Sequence, residues 1–283
     1  MRKIAITTDT NSGITVEEAG KRGIPLLPMP IIIDGKEYFE GVDISYDEFF
    51  ERLENGAEVS TSQPSVYSLT AFWESVLKSH DYVVHIPMSS ALSSSCDTAK
   101  GIAGDFGGKV FVVDNKRISI SQAQSVYDAM KMAESGMTAK EIVKKLEDDA
   151  YGNSIYLAVN TLELLKKSGR VTKAGAALAT VLNLKPVLQI QGGKLDAFAK
   201  ARGMVNAKKT MLEAAKNDLA DRFAGKKVKV DIAYSGALEP ALEWQKEVQK
   251  FFGDKELKMY RLPLSISCHV GAGVAALGCI EYM

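Results

Sequence analysis

Cysteine, histidine, long apolar runs and a surplus of one charge are all lacking in this chain. Its 283 residues include three cysteines and three histidines. Cys96, Cys268 and Cys279 show no CxxC spacing and are odd in number. That argues against a disulfide framework or a zinc cluster and fits reduced thiols in a cytoplasmic protein. No apolar stretch reaches the length of a membrane-spanning helix. The opening Met1-Arg2-Lys3-Ile4-Ala5-Ile6 imitates a signal peptide, but Asp9 ends the run too early for one. Lys and Arg total 35, as do Asp and Glu, so no global field gathers nucleic acid or an anionic membrane. A GxSxG elbow, an HExxH pair and a P-loop are all missing. No cofactor is indicated.

What is present is an ordinary globular composition, 46% apolar and 25% charged, at a length suited to two domains. In the first half, short β-branched runs alternate with helical periodicity, the pattern of an α/β domain with a parallel sheet. Strands are expected at Lys3 to Thr8, Tyr82 to Ile86 and Val110 to Val113. Helices are expected at Val16 to Arg22, Tyr46 to Glu54, Val66 to Lys78 and Ser94 to Ala103, with two more between Gln122 and Tyr151. Pro25 to Ile33 reads as extended. The second half predicts strands at Ile155 to Val159, Lys185 to Ile190, Lys194 to Lys200, Lys227 to Tyr234, Leu257 to Leu262 and Ala275 to Glu281. Gln191-Gly192-Gly193-Lys194 reads as a tight hairpin, which makes this second α/β sheet mixed. Helices are expected at Thr161 to Lys167, Thr172 to Val181, Asn206 to Arg222 and Pro240 to Phe251. The domain boundary falls near Gly152 to Ser154, giving domains of 1–153 and 154–283.

Hydroxyls cluster where strands should give way to helices. Ser60-Thr61-Ser62-Gln63-Pro64-Ser65 carries four, and Ser89-Ser90-Ala91-Leu92-Ser93-Ser94-Ser95 carries five. Capping a helix needs one. The remainder, with unpaired N–H groups and the positive dipole end, would suit an anion. Both turns are expected at the carboxyl edge of the first sheet, where ligands of open α/β folds bind. His269 lies among small residues that permit close approach, whereas His80 falls in a polar turn and His85 in a buried strand. Gly271-Ala272-Gly273-Val274-Ala275-Ala276 matches a dinucleotide fingerprint only formally, because no βαβ unit follows it. Ser168-Gly169-Arg170 ends a basic helix, and Arg170 could face a carboxylate, a phosphate or a partner. A Ser-His hydrolase would need His269 as its base, oriented by Asp9 or Asp114.

These segments together resemble the DegV family, which includes the fatty-acid-binding subunits of bacterial fatty acid kinases. The resemblance runs nearly end to end, through Ile6-Thr7-Thr8-Asp9, Thr61-Ser62-Gln63-Pro64-Ser65, Ser89 to Ser95, Leu164 to Arg170, Leu182-Asn183-Leu184-Lys185-Pro186 and His269-Val270-Gly271-Ala272-Gly273. It implies a lipid-binding protein rather than an enzyme, serving phospholipid metabolism in the cytoplasm. A long-chain fatty acid would lie with its carboxylate at the domain interface, near Thr61, Ser62, Ser93 and His269, and its tail in an apolar pocket of the second domain. Arg170 would sit at the mouth, facing a phosphate or the ATP-binding kinase subunit. An acyltransferase would be a further partner. The alternatives are the hydrolase, with Ser93 and His269 as nucleophile and base, or a binder of another small carboxylate. Three segments depart from the family pattern: Ala91 and Ala272 replace glycine and proline, and Ile118 to Gln124 replaces a glycine-containing helix start. Each bears on pocket width.

Overall fold

The computed structural model describes residues 3–178, 184–253 and 257–283. It is an α/β protein with two main sheets. In the first, β1 (Ile4–Asp9), β2 (Leu26–Leu27), β6 (Tyr82–Ile86) and β7 (Val110–Val112) run parallel in the order β2-β1-β6-β7. A small antiparallel sheet, β4-β3-β5, is formed by β3 (Pro30–Ile33), β4 (Lys36–Phe39) and β5 (Val59–Thr61). Asp34-Gly35 makes its turn, both residues having positive φ. The third sheet has the order β10-β9-β8-β13-β11-β12 and is mixed, parallel only between β11 and β12. Its strands are β8 (Asn153–Ala158), β9 (Leu184–Ile190), β10 (Asp196–Arg202), β11 (Val228–Tyr234), β12 (Met259–Arg261) and β13 (Ala275–Glu281).

The early helices are α1 (Val16–Arg22), α2 (Tyr46–Glu54), α3 (Val66–Leu77), α4 (Ser95–Ala103), α5 (Ser119–Glu134) and α6 (Ala139–Asp148). Those of the second half are α7 (Glu163–Ser168), α8 (Lys173–Ala177), α9 (Gly203–Ala220), α10 (Leu238–Phe251) and α11 (Leu264–Val270). Their ends follow local chemistry. The Ser45 hydroxyl accepts from Glu48 N and opens α2, Thr138 and Glu141 form a capping box on α6, and Gly169 closes α7 in the left-handed conformation.

Helix α5 joins the halves. It packs on β1 and β6 of the parallel sheet and on β11 and β13 of the mixed one. Ser121, Ala123, Ser125 and Ala129 are small and fully buried, which lets the sheets close over it. The fit is close enough that a Cβ on Gly278 would stand 2.4 Å from Ile120 Cδ1. One apolar cluster, including Ile6, Val84, Ile120, Val126, Leu157, Leu188 and Val274, therefore runs through both halves.

Three expectations need correction. The hairpin expected at Gln191 to Lys194 does join β9 to β10, but it is looser than a tight turn, because β9 ends at Ile190 and β10 begins only at Asp196. Strands β4 and β5 and helix α11 were not expected, being too short for periodicity to show. Strand β5 carries Thr61 into the small sheet, so only the Ser89 to Ser95 turn leaves the carboxyl edge of the parallel sheet. The end of the helix expected at Thr172 to Val181, and Leu182-Asn183, lie outside the described residues.

Candidate functional site

The small sheet brings residues far apart in sequence together. Ile31, Ile33, Phe49, Phe50 and Val59 share an apolar core with Leu264 and Cys268 of α11. Leu264 and Cys268 are four residues apart and so lie on one helical face. Ser265 and His269 lie one step around, towards a cavity between the halves. Thr61, the last residue of β5, meets His269 there, with Thr61 Oγ1 3.0 Å from His269 Nε2. Either group can donate in this bond, depending on the histidine tautomer.

The Ser-rich turn forms the facing wall. Most of its hydroxyls have structural work, so plain capping and bracing explain much of the cluster. Ser89 Oγ accepts from Ala91 N at 3.2 Å, and Ser90 Oγ donates to Asp114 Oδ2 at 2.7 Å. Burial raises the Asp114 pKa, but hydrogen bonds from Lys116 and Ser90 outweigh it and hold the carboxylate below its usual range. Ser65 caps α3 through Ser68 N. Gln63 Oε1 accepts from both Ser94 Oγ (3.1 Å) and Thr98 Oγ1 (3.0 Å), tying the two hydroxyl-rich segments together. Ser93 Oγ accepts from Ser95 N, and its proton goes to Ser95 Oγ at 3.0 Å, a bond that must turn outward for Ser93 to donate to an anion at the cavity wall. The polar groups facing the cavity are thus not all at a helix N-terminus: Thr61 ends a strand, and His269 lies in the last turn of α11.

Thr61, Ser62, Ser93, His269 and Arg170 all line this one cavity. Its remaining wall is largely apolar, with Met29, Met88, Leu92, Ile118, Leu195 and Ile266. About 90 Å³ is open, roughly three water volumes, so the space is narrow. Burial, helped by the positive charge of Arg170, pulls the His269 pKa down to about 4, so the ring is neutral near pH 7. Its Nδ1 has no hydrogen-bond partner among the described residues. Arg170 follows the Gly169 cap, and its guanidinium donates to the Ser168 carbonyl.

A hydrolytic triad is not assembled here. Ser93 is bonded to Ser95 and His269 to Thr61. Asp9 is buried and receives Met88 N (3.0 Å), Asn11 N (3.0 Å) and Gln122 Nε2 (2.9 Å), and Asp114 braces Ser90. Asp9 instead ties the end of β1 to the start of the Ser-rich turn. Pattern reading missed Gln63 as the bridge between the segments. A signal was available, since a glutamine amide set between two hydroxyl-rich turns can serve both. Among the described residues, no group of three or more His, Cys, Asp or Glu could hold a metal ion.

A sequence profile of the DegV family, described as uncharacterised proteins, matches residues 3–282. The chain belongs to the DegV family. A DegV domain-containing protein of Listeria monocytogenes is 31% identical over 279 residues, covering 98% of each chain. Another, from Caldanaerobacter subterraneus, is 31% identical over 256 residues, 89% of this chain and 91% of its own. Among solved structures, a DegV family protein of Thermus thermophilus, described as fatty acid binding, superposes with a TM-score of 0.89 at 29% identity, covering 99% of this chain and all of that one. A stearic-acid-binding protein of Eubacterium ventriosum gives 0.88 at 26% identity, covering 99% of this chain and 98% of its own. Similarity to DegV relatives thus spans the small sheet, the Ser-rich turn and α11 alike.

Proposed function

We propose that this DegV protein binds a long-chain fatty acid and presents its carboxylate to a partner kinase, which converts it to an acyl phosphate. The observation that carries the reading is the single cavity in which Thr61, Ser62, Ser93 and a neutral His269 meet an apolar wall drawn from both halves. If His269 Nε2–H donates to Thr61 Oγ1, the threonine proton is left to donate to the carboxylate. Burying about fifteen methylenes yields roughly 12 kcal/mol gross, less the cost of immobilisation. Desolvating the carboxylate costs several kcal/mol unless donors replace water, which is the task of this neutral clamp. Such a clamp leaves a carboxylate oxygen only partly neutralised and so able to attack phosphorus. Because the cavity is narrow, the chain must part the wall, and the unbranched Met29 and Met88 are suited to that. The domain units are 1–153, bearing the hydroxyl-rich turns with Met29, Met88, Leu92 and Ile118 of the apolar wall, and 154–283, adding Leu195 and Ile266 to that wall.

The kinase and a later acyltransferase belong to the reading through the family resemblance, as does a cytoplasmic location. All three cysteines are unbonded and buried, consistent with reducing surroundings. No helix among the described residues is long and apolar enough to cross a membrane.

Native mass spectrometry of the purified protein, with extraction and identification of whatever co-purifies, tests the reading. A bound free fatty acid, exchangeable for added palmitate, is the expected result. A different carboxylate, or failure to take up any fatty acid from C12 to C20, would overturn it.

A further inference from the structure

Asn11 and Ser265 line the same cavity as Thr61 and His269, although neither belongs to a hydroxyl-rich segment. Asn11 lies in the 3-10 turn Thr10–Ser12 that follows β1, and Ser265 in the first turn of α11. Both are almost fully buried, at 2% and 6% exposure. The Ser265 hydroxyl donates to Asn11 Oδ1 at 2.7 Å, which leaves Oγ able to accept. Asn11 Nδ2 has no hydrogen-bond partner among the described residues. Burial raises the pKa of the neighbouring Asp9, and the Asn11 side chain is among the groups that oppose the rise. Only the N–H end of the amide can have that effect, which fixes its orientation. An amide nitrogen carries two protons, so at least one is left without an acceptor. A donor and an acceptor thus stand side by side in a largely apolar wall. A plain hydrocarbon satisfies neither, and an unfilled buried donor is destabilising.

We propose that the acyl chain bound here carries a hydroxyl group close to its carboxyl end, received by Asn11 and Ser265. The inference rests on the function proposed above and narrows its substrate class to hydroxy fatty acids. A hydroxyl both donates and accepts, so its proton goes to Ser265 Oγ while its oxygen takes a proton from Asn11 Nδ2. A keto oxygen could use only the second of these bonds. The place of the hydroxyl along the chain follows from α11. Ser265 and His269 are four residues apart on that helix, which is about 6 Å along its axis. An extended acyl chain advances roughly 1.25 Å per carbon, given C–C bonds of about 1.52 Å and near-tetrahedral angles. With the carboxylate at Thr61 and His269, Ser265 therefore stands beside about the third to sixth carbon.

The test is competition titration of the full-length protein with palmitate and with its 3-hydroxy, 5-hydroxy and 16-hydroxy derivatives. The 3-hydroxy or the 5-hydroxy acid should bind at least about fivefold tighter than palmitate, the gain expected of two buried hydrogen bonds. The 16-hydroxy acid, whose hydroxyl lies at the far end of the chain, should show no such gain. In Ser265→Ala and in Asn11→Ala the ratio of hydroxy acid to palmitate should fall below about twofold. Circular dichroism and thermal melting establish that each variant is folded, and the wild-type ratios decide the matter if neither is. Palmitate binding as tightly as both near-carboxyl hydroxy acids would overturn the hydroxyl site. So would an equal gain for the 16-hydroxy acid, or an advantage that survives Ser265→Ala in a folded protein. Failure of the wild-type protein to bind any of the four acids would instead overturn the parent reading.

Discussion

Replacing Thr61 by valine removes one hydroxyl and little else, since the two side chains are nearly isosteric. In the unliganded protein the loss is the 3.0 Å bond to His269 Nε2, worth about 0.5–1.5 kcal/mol of stability. In the complex a second loss is added, the hydrogen bond to an ionised carboxylate, worth about 1.5–3 kcal/mol. Only the second term enters the ratio of affinities, apart from the reorganisation of His269. At 1.4 kcal/mol per factor of ten, fatty-acid affinity should fall by about 10- to 150-fold. The assay is displacement of a fluorescent fatty acid by palmitate and, in parallel, by methyl palmitate. The ester keeps the chain but has no carboxylate, so its weaker binding should be almost the same in wild type and Thr61→Val. Ser93→Ala should behave likewise, with a loss of about 1–3 kcal/mol. Wild-type palmitate affinity in both variants, or equal losses for acid and ester, would refute the carboxylate clamp.

Two further outcomes concern stability. His269 and His85 are buried with pKa values pulled down to about 4 and about 3, chiefly by desolvation. Below about pH 6.5 the unfolded chain takes up protons that the folded one does not, so stability rises with pH across this window. It should be fully present above about pH 6.5 and drain away towards pH 4 for His269, by roughly 3 kcal/mol, and further for His85. Asp9, Glu40 and Asp128, whose pKa values burial raises, act in the opposite sense from the ordinary carboxylate range upwards, and so offset part of this gain. Thermal unfolding at pH 5.0 and 7.5 checks this, and a flat profile that His269→Gln leaves unchanged would contradict it. Ser119, in the helix start that departs from the family pattern, has φ 53° and a buried hydroxyl without a partner among the described residues. Ser119→Gly should raise stability by about 0.5–1 kcal/mol, the relieved left-handed strain exceeding the entropy that glycine adds to the unfolded state. An unchanged or lower unfolding midpoint would show that the strain is absent.

Much of the fold was legible because its determinants are local. The spacing of Tyr46, Phe49, Phe50 and Leu53 marks an amphipathic helix, and Ser45, Thr138 and Gly169 mark helix ends wherever the chain goes afterwards. The alternation of β-branched runs with such helices is enough to specify an α/β protein with parallel strands in its first half. Strand β5 escaped notice because three residues carry no usable period, and α11 because Leu264 to Val270 alternates apolar and polar residues, a strand-like rhythm.

The candidate site was legible as a set of residue types and not as an arrangement. Nine hydroxyls in two turns announced a polar function, but sequence could not say which were already engaged. Gln63, Asp114, Ser68 N and Ser95 N settle that, and two of those four, Asp114 and Ser68, lie outside the two hydroxyl-rich segments. The pairing of Thr61 with His269 spans 208 positions. It exists because a small sheet, α2 and α11 bury a common apolar core, which local periodicity cannot reveal. Sequence by itself determined the kinds of element and the chemistry on offer. Only tertiary packing decided that a strand end, a Ser-rich turn and α11 would meet around one cavity.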